Sequence, residues 1–159
     1  MKNVIFICLL FSLLLISCSS YYPPEHYKVT NEITLNQGYD EVWSKIIEYC
    51  TETDRIIKNI DKNAGYLSYF IPVEYNNKYK CPLDCGRFIS GFHTDYSSQQ
   101  YPTTVTVNII VSKVGSQTSV KVKLSSYLSN ESLKWDSMIE PHCNSTGIVE
   151  NDIFKYLQD

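Results

Sequence analysis

The stretch TTVTVNIIVSKVGSQTSVKVKLSSYL, residues 103–128, decides the fold of this chain. Apolar and polar residues alternate in each half, which predicts two strands that each bury one face and leave the other in water. The buried faces are predicted to carry Val105, Val107, Ile109 and Val111 in the first strand, and Val120, Val122 and Leu124 in the second. Gly115-Ser116-Gln117 joins the two halves, so the whole stretch predicts a β-hairpin.

A helix is predicted before this hairpin. Apolar residues recur there at spacings of three and four, the period of a helix that buries one side. This stripe consists of Tyr39, Val42, Trp43, Ile46, Ile47 and Cys50. The turn Asn36-Gln37-Gly38 opens the helix, and Asp40 and Glu41 lie in its first turn, where the helix dipole favours acidic side chains.

The remaining segments predict three more strands and a closing helix. The strands are expected at residues 26–35, 55–61 and 65–72, and the helix at residues 145–157, capped by Asn144, Ser145 or Thr146. Two one-sided helices supply the cover that a sheet with one apolar face needs. The fold class is therefore α+β, an antiparallel sheet of about five to six strands with two helices packed on one face. This element order resembles the helix-grip and TBP-like domains of envelope lipoproteins.

The composition fits one folded domain. The chain has 159 residues, of which 43% are hydrophobic and 13% aromatic, and its formal net charge is −3. This hydrophobic share argues against disorder, which combines low hydrophobicity with high net charge. The slight acidity argues against a nucleic-acid-binding protein, which normally carries a basic patch, so we expect no nucleic-acid partner.

The N-terminus has the features of an export signal. Lys2 is the only charge before Glu25, and residues 4–16 form an apolar run that only Ser12 interrupts. The run is shorter than the roughly 20 residues of a membrane-spanning helix, so it predicts a secretory signal peptide. The motif that follows, Leu15-Ile16-Ser17-Cys18, resembles the lipobox of bacterial lipoproteins.

This resemblance implies a location in the cell envelope. A signal peptidase would remove residues 1–17, and Cys18 would carry the acyl chains of a lipid anchor in the membrane. Residues 18–24 would be the lipidated Cys and a tether, and residues 25–159 a single α+β domain. Ser19 is not acidic, which points to the outer membrane, on the face toward the periplasm. The alternative is an ordinary secreted protein with a spare Cys in its signal.

Four cysteines remain once Cys8 and Cys18 are set aside: Cys50, Cys81, Cys85 and Cys143. An even number in an exported domain predicts disulfides, and four cysteines allow three pairings. The first choice pairs Cys85 with Cys143, which pins the long segment 73–102 to the start of the closing helix, and then Cys50 with Cys81. A free buried Cys50 stays open. A second alternative also stays open, in which Cys81 pairs with Cys85 and Cys50 pairs with Cys143.

The sequence shows little that indicates catalysis. It contains no P-loop, no nucleophile elbow and no zinc-protease motif. A metal site built from Cys81, Cys85, His93 and His142 competes with disulfide formation, and so does Cys-His catalysis, which needs a free thiolate. We therefore expect no catalytic residue, no metal and no cofactor.

Aromatic residues crowd segment 73–102 and predict a contact surface, because Tyr gives a large contact area at low entropic cost. These residues are Tyr75, Tyr79, Phe88, Phe92, Tyr96 and Tyr101. The alternative is that the rings pack onto the sheet and only fold the segment.

Three functional hypotheses follow from these patterns. The leading one is a non-enzymatic, membrane-anchored lipoprotein of the cell envelope that binds another envelope protein as an adaptor. The second is a carrier of a small apolar ligand, held between helix and sheet by Trp43, Ile47, Val107, Ile109 and Val122. The third is a metal- or thiol-dependent enzyme.

Overall fold

The computed structural model describes residues 20–72, 81–89, 97–99, 104–127 and 143–159. In chain order their strands are β1 (Ser20–Tyr22), β2 (Glu32–Leu35), β3 (Ile56–Asp61), β4 (Tyr66–Pro72), β5 (Leu83–Asp84), β6 (Arg87–Ile89), β7 (Ser97–Gln99), β8 (Thr104–Val114), β9 (Gln117–Tyr127) and β10 (Asn144–Ser145). Helix α1 (Tyr39–Glu52) follows β2, and helix α2 (Ile148–Gln158) follows β10.

Five of these strands form the main sheet, in the order β2-β9-β8-β4-β3, and each neighbouring pair is antiparallel. The β8–β9 hairpin at its centre is paired along its whole length, from Thr104 opposite Tyr127 to Val114 opposite Gln117. Two smaller sheets join β1-β6-β7 and β10-β5. The predicted hairpin and the predicted α+β fold class are confirmed.

The buried face of the main sheet is the one that the alternation predicts. The four inward residues of β8, named above, are at most 3% exposed. Helix α1 packs on this face through Val42, Trp43, Ile46, Tyr49 and Cys50, and α2 adds Ile153, Phe154 and Leu157 to the same core. Both helices therefore cover one side of the sheet. In the described part of the chain, no helix combines the length and apolarity needed to cross a membrane.

The main sheet has two ends that organise the rest of the molecule. We call the end where β8 begins and β9 ends the proximal end, and the hairpin tip at Gly115-Ser116 the distal end. Strand β8 has 11 residues. Because a strand rises about 3.4 Å per residue, the two ends lie roughly 35 Å apart. Helix α1 begins toward the distal end, where the Tyr39 hydroxyl donates a hydrogen bond to the Lys62 carbonyl of the β3–β4 turn.

Three boundaries differ from the prediction. Strand β2 begins at Glu32 and not at residue 26. The other two differ because distant segments pair there. Residues 20–22, which the sequence assigns to a tether, form β1, with Ser20 opposite Ile89 and Tyr22 opposite Arg87. The closing helix begins at Ile148, since the two residues of β10 pair with β5 instead. Strand pairing between segments far apart in sequence has no local periodicity, so short strands of this kind are not visible in the sequence.

We expect Gly65→Ala to destabilise the fold more than Gly115→Ala. Both glycines have positive φ, +64° and +63°, which costs an L-residue about 1–2 kcal/mol. A Cβ at Gly65 would also lie 2.0 Å from the Val111 carbonyl oxygen, whereas nothing lies within 4 Å of one at Gly115. This overlap adds at least about 1 kcal/mol. Urea denaturation of both variants measures the difference, and equal losses of unfolding free energy would contradict the geometry.

Candidate functional site

Contacts centred on Asp84 of β5 fix the N-terminal segment to the proximal end. Asp84 Oδ2 accepts hydrogen bonds from the Glu25 backbone N–H at 2.8 Å and from the Tyr27 hydroxyl at 3.3 Å. Asn144 Nδ2 of β10 donates to the Glu25 carbonyl oxygen at 2.9 Å. Desolvation and the Asp84 carboxylate raise the pKa of Tyr27, so its hydroxyl keeps the proton that it donates. We call Glu25, Tyr27, Asp84 and Asn144 the N-terminal clamp.

A disulfide between Cys85 and Cys143 reinforces the clamp. Asp84 pairs with Asn144 in the antiparallel β5–β10 ladder, and Cys85 and Cys143 are the next two opposed residues. Their Cα atoms are 4.1 Å apart. Cys85 is fully buried in a small second core with Leu83 and Val105. The disulfide therefore links the proximal end of the main sheet to the chain that enters α2, and it is the first-choice pairing of the sequence.

The pairing predicted for Cys50 and Cys81 is not formed, because both are free thiols. Cys50 is buried in the main core on α1, whereas Cys81 precedes β5 beside the second core. The helical period places Cys50 on the core face but says nothing of its distance from Cys81. The alternative metal site loses one predicted ligand, since Cys85 is in the disulfide. Two further predicted ligands, His93 and His142, lie outside the described residues. Among the described residues, no three His, Cys, Asp or Glu side chains are placed to hold a metal ion.

We expect Cys50 to react with maleimide very slowly in the folded protein. Burial raises the pKa of its thiol to about 11, so only about one thousandth of it is thiolate at pH 8. Burial raises the pKa of Cys81 as well, which is the reverse of what activates a catalytic cysteine. Labelling at pH 8, followed by peptide mass spectrometry, should show Cys50 reacting at least about a hundredfold faster in urea than in buffer. Equal rates in urea and in buffer would show that this thiol is not protected.

A group of tyrosines and carboxylates joins the two helices. The Tyr49 hydroxyl of α1 donates to Asp152 Oδ2 of α2 at 2.7 Å, and the Tyr156 hydroxyl donates to Glu52 Oε2 at 2.9 Å. The rings of Tyr49 and Tyr156 meet edge to face, with centroids 5.3 Å apart. Burial, followed by the bond to Asp152, raises the pKa of Tyr49 to about 12. A phenol that keeps its proton at neutral pH acts as a hydrogen-bond donor, so this group fastens α2 to α1.

Two large aliphatic side chains are exposed between the middle of the main sheet and its distal end, since Ile60 is level with Ile109 of β8 through Leu67 and Val114 lies beside the hairpin tip. Ile60 near the end of β3 is 54% exposed, and Val114 at the end of β8 is 51% exposed. Two lysines lie in the same half of the main sheet: Lys62 forms an ion pair with Asp40 at 2.7 Å, and Lys113 Nζ lies 5.2 Å from the centroid of the Tyr39 ring. We call Tyr39, Ile60, Lys62, Lys113 and Val114 the distal surface.

Most residues of the predicted sites lie outside the described part of the chain. These are Cys18 and the aromatic residues Tyr75, Tyr79, Phe92, Tyr96 and Tyr101. Phe88 lies in β6, where only the backbone is described. The lipidation site and the aromatic contact surface therefore stay predictions.

Neither a motif nor a period predicts the N-terminal clamp or the distal surface. The sequence signal nearest to the clamp is Asp84-Cys85-Gly86, since an Asp two residues before a Gly favours a turn in which the Asp accepts from the main chain. Asp84 does accept from the Gly86 N–H, at 2.9 Å. The exposed Ile60 and Val114 belong to strands that otherwise look ordinary: Ile60 lies on an edge strand, and Val114 falls on the face of the sheet that the helices do not cover.

Comparison with known proteins adds no relative. No protein-family model matches the chain, and no curated protein matches it.

Proposed function

We propose that this protein is a lipid-anchored adaptor of the bacterial cell envelope, which acts by binding and not by catalysis. Cys18 holds it in the outer membrane on the face toward the periplasm, and the distal surface binds another envelope protein. The observation that supports the proposal most is the position of the N-terminal clamp and the distal surface, which lie toward opposite ends of the main sheet.

The proximal end is the end that the anchor reaches. Only Ser19 separates Cys18 from β1. Two residues of extended chain span at most about 7 Å, so Ser20 lies within that distance of the lipidated residue. Because β1 is paired with β6 and the clamp fixes Glu25, the domain does not hang on a long free tether. The roughly 35 Å of the β8–β9 hairpin then carries the distal surface away from the bilayer.

The distal surface has the chemistry of a protein contact. Ile60 lies on β3, which is an edge strand of the main sheet as described, and Val114 lies beside the hairpin tip. Exposed aliphatic side chains surrounded by polar ones are typical of binding surfaces. Lys62 follows Ile60 by two residues and Lys113 directly precedes Val114, so a partner with an apolar patch and nearby carboxylates complements this surface.

Site-specific photo-cross-linking in the producing cells tests the adaptor function. The probe p-benzoylphenylalanine replaces Val114 in one variant, Ile60 in a second, and the exposed Lys155 of α2 in a control. We expect the same envelope protein to be captured at Val114 and at Ile60, and not at Lys155. Failure to capture any protein at the two distal positions, or equal capture at Lys155, would contradict an adaptor that binds through this surface.

A charged substitution at Val114 tests whether this residue contributes to the affinity for the partner. Val114→Asp places an acidic side chain at the centre of the proposed contact, so capture through the probe at Ile60 should fall about tenfold, which corresponds to about 1.4 kcal/mol. Ser112→Asp is the matched control, since Ser112 is an exposed polar residue of the same strand and the change adds the same charge without removing an apolar contact. Loss in both variants alike would indicate a charge effect and not a contact through Val114.

The two alternative functions have less support. The residues that would line a carrier's cavity, Trp43, Ile47, Val107, Ile109 and Val122, pack into one contact cluster, and four of them are at most 5% exposed. A thiol-dependent enzyme needs a cysteine with a lowered pKa, and burial raises that of both free thiols.

A further inference from the structure

We propose that the proximal end carries a membrane-contact surface, formed by Tyr22, Tyr27 and Ile148, that rests on the lipid–water interface of the bilayer holding Cys18. We call these three residues the proximal patch. This inference rests on the proposed lipidation of Cys18 and goes beyond it: the domain has one fixed face toward the membrane and does not tumble on its anchor.

The contacts of the N-terminal segment bring the patch together. The Tyr27 hydroxyl and the Glu25 N–H share Asp84 Oδ2, and the strand β10 that pairs with Asp84 leads directly into α2. Further along, Val29 contacts Gly147: a Cβ built at Gly147 would lie 3.3 Å from Val29 Cγ2. Gly147 precedes Ile148, so the segment from Glu25 to Val29 runs along β5 and β10 toward the first residue of α2, and Tyr22 at the end of β1 precedes this segment by three residues.

The patch is exposed and has the composition of an interfacial surface. Tyr22 is 46% exposed, Tyr27 is 41% and Ile148 is 48%. Tyrosine is enriched where protein meets the headgroup region, because its ring is apolar and its hydroxyl is polar. After removal of Lys2 with the signal, the chain has 13 basic and 17 acidic residues, so its net charge is negative. Electrostatic attraction to anionic headgroups therefore does not hold this domain down, and the contact depends on the rings and on Ile148.

Chain length allows Tyr22 to reach the headgroup region. Tyr22 is four residues from Cys18, which allows at most about 14 Å between their Cα atoms. The headgroup region on each side of a bilayer is roughly 5–7 Å thick. With Cys18 joined to its lipid at the interface, the paired strand β1 keeps Tyr22 in the headgroup region or directly above it.

Photo-cross-linking to lipid tests the inference. The full lipidated chain, with p-benzoylphenylalanine at Tyr27, is placed in vesicles of phosphatidylethanolamine and phosphatidylglycerol and irradiated. Intact mass spectrometry then counts chains that have gained one phospholipid. A second variant carries the probe at Ile148, which keeps the test valid if the change at Tyr27 disturbs the clamp. The matched control carries it at Val114, a similarly exposed residue at the distal end.

We expect phospholipid adducts at Tyr27 and at Ile148, at least tenfold more frequent than at Val114. Equal frequencies at the three positions, or no adduct at Tyr27 and Ile148, would overturn the inference. The same spectra report the acyl chains on Cys18 separately. Acylated Cys18 without adducts at the patch contradicts the oriented domain alone, whereas an unmodified Cys18 contradicts both this inference and the proposed anchor.

Discussion

Replacing both Cys85 and Cys143 with Ala should lower the free energy of unfolding by about 4 kcal/mol. The disulfide closes a loop with a sequence separation of 58 residues, and in the chain-entropy model such a loop restricts the unfolded chain by about that amount. The loss should also appear locally, because the bond extends the two-residue ladder of β5 and β10, which carries the clamp. Urea denaturation measures the global effect, and hydrogen exchange of residues 82–86 and 143–147 measures the local one.

Cys81→Ala is the control for this prediction. Cys81 is a free, half-buried thiol just before β5, so its removal takes away a similar side chain without opening the loop. We expect a loss below about 1 kcal/mol, as for most substitutions that create no large cavity. A double variant no less stable than Cys81→Ala would show that the bond between Cys85 and Cys143 does not support the fold.

Cys18→Ala should abolish acylation of the protein. In the proposed anchor the thioether to the diacylglycerol forms on the Cys18 sulfur, and the lipobox resemblance implies that cleavage before residue 18 follows this step. The variant should therefore keep residues 1–17 and lose palmitate label by more than about tenfold, to background, in metabolically labelled cells. Gel autoradiography and the mass of the precursor measure the two effects.

Cys8→Ala is the matched control for the lipid anchor. Cys8 lies inside the apolar run that the proposed cleavage removes, so its thiol is not expected to be needed for the anchor. We expect full palmitate label and normal cleavage in this variant. Label that survives in Cys18→Ala, or that disappears in Cys8→Ala, would place the acyl chains on another residue.

The parts of the fold that depend on regular periods could be predicted from the sequence. The alternation in residues 103–128 predicts both strands of the hairpin within one residue at each end, and the inward valines are buried. The apolar stripe predicts α1, although Tyr49, a further core residue at 2% exposure, lies outside that stripe. These elements are predictable because burial of one face imposes a local pattern.

The candidate site could not be predicted in the same way, because it is made by contacts between distant segments. Strand β1 has three residues, Ser20–Tyr22, and its partner β6 lies more than sixty positions away. Asp84 meets Glu25 at a separation of 59 residues and is an ordinary turn residue in sequence terms. The Cys85–Cys143 bond was one of three pairings that the count allowed, and only the β5–β10 ladder shows why these two residues meet.

The intact mass of the protein purified from its own membrane decides whether Cys18 anchors it. Fragmentation of the chain assigns any lipid to a residue. We expect a chain that begins at Cys18, carries a diacylglycerol on the Cys18 sulfur and one acyl chain on its amino group, and holds Cys85 and Cys143 as a disulfide. A chain that begins elsewhere, or a Cys18 that carries no lipid, would contradict the anchored adaptor.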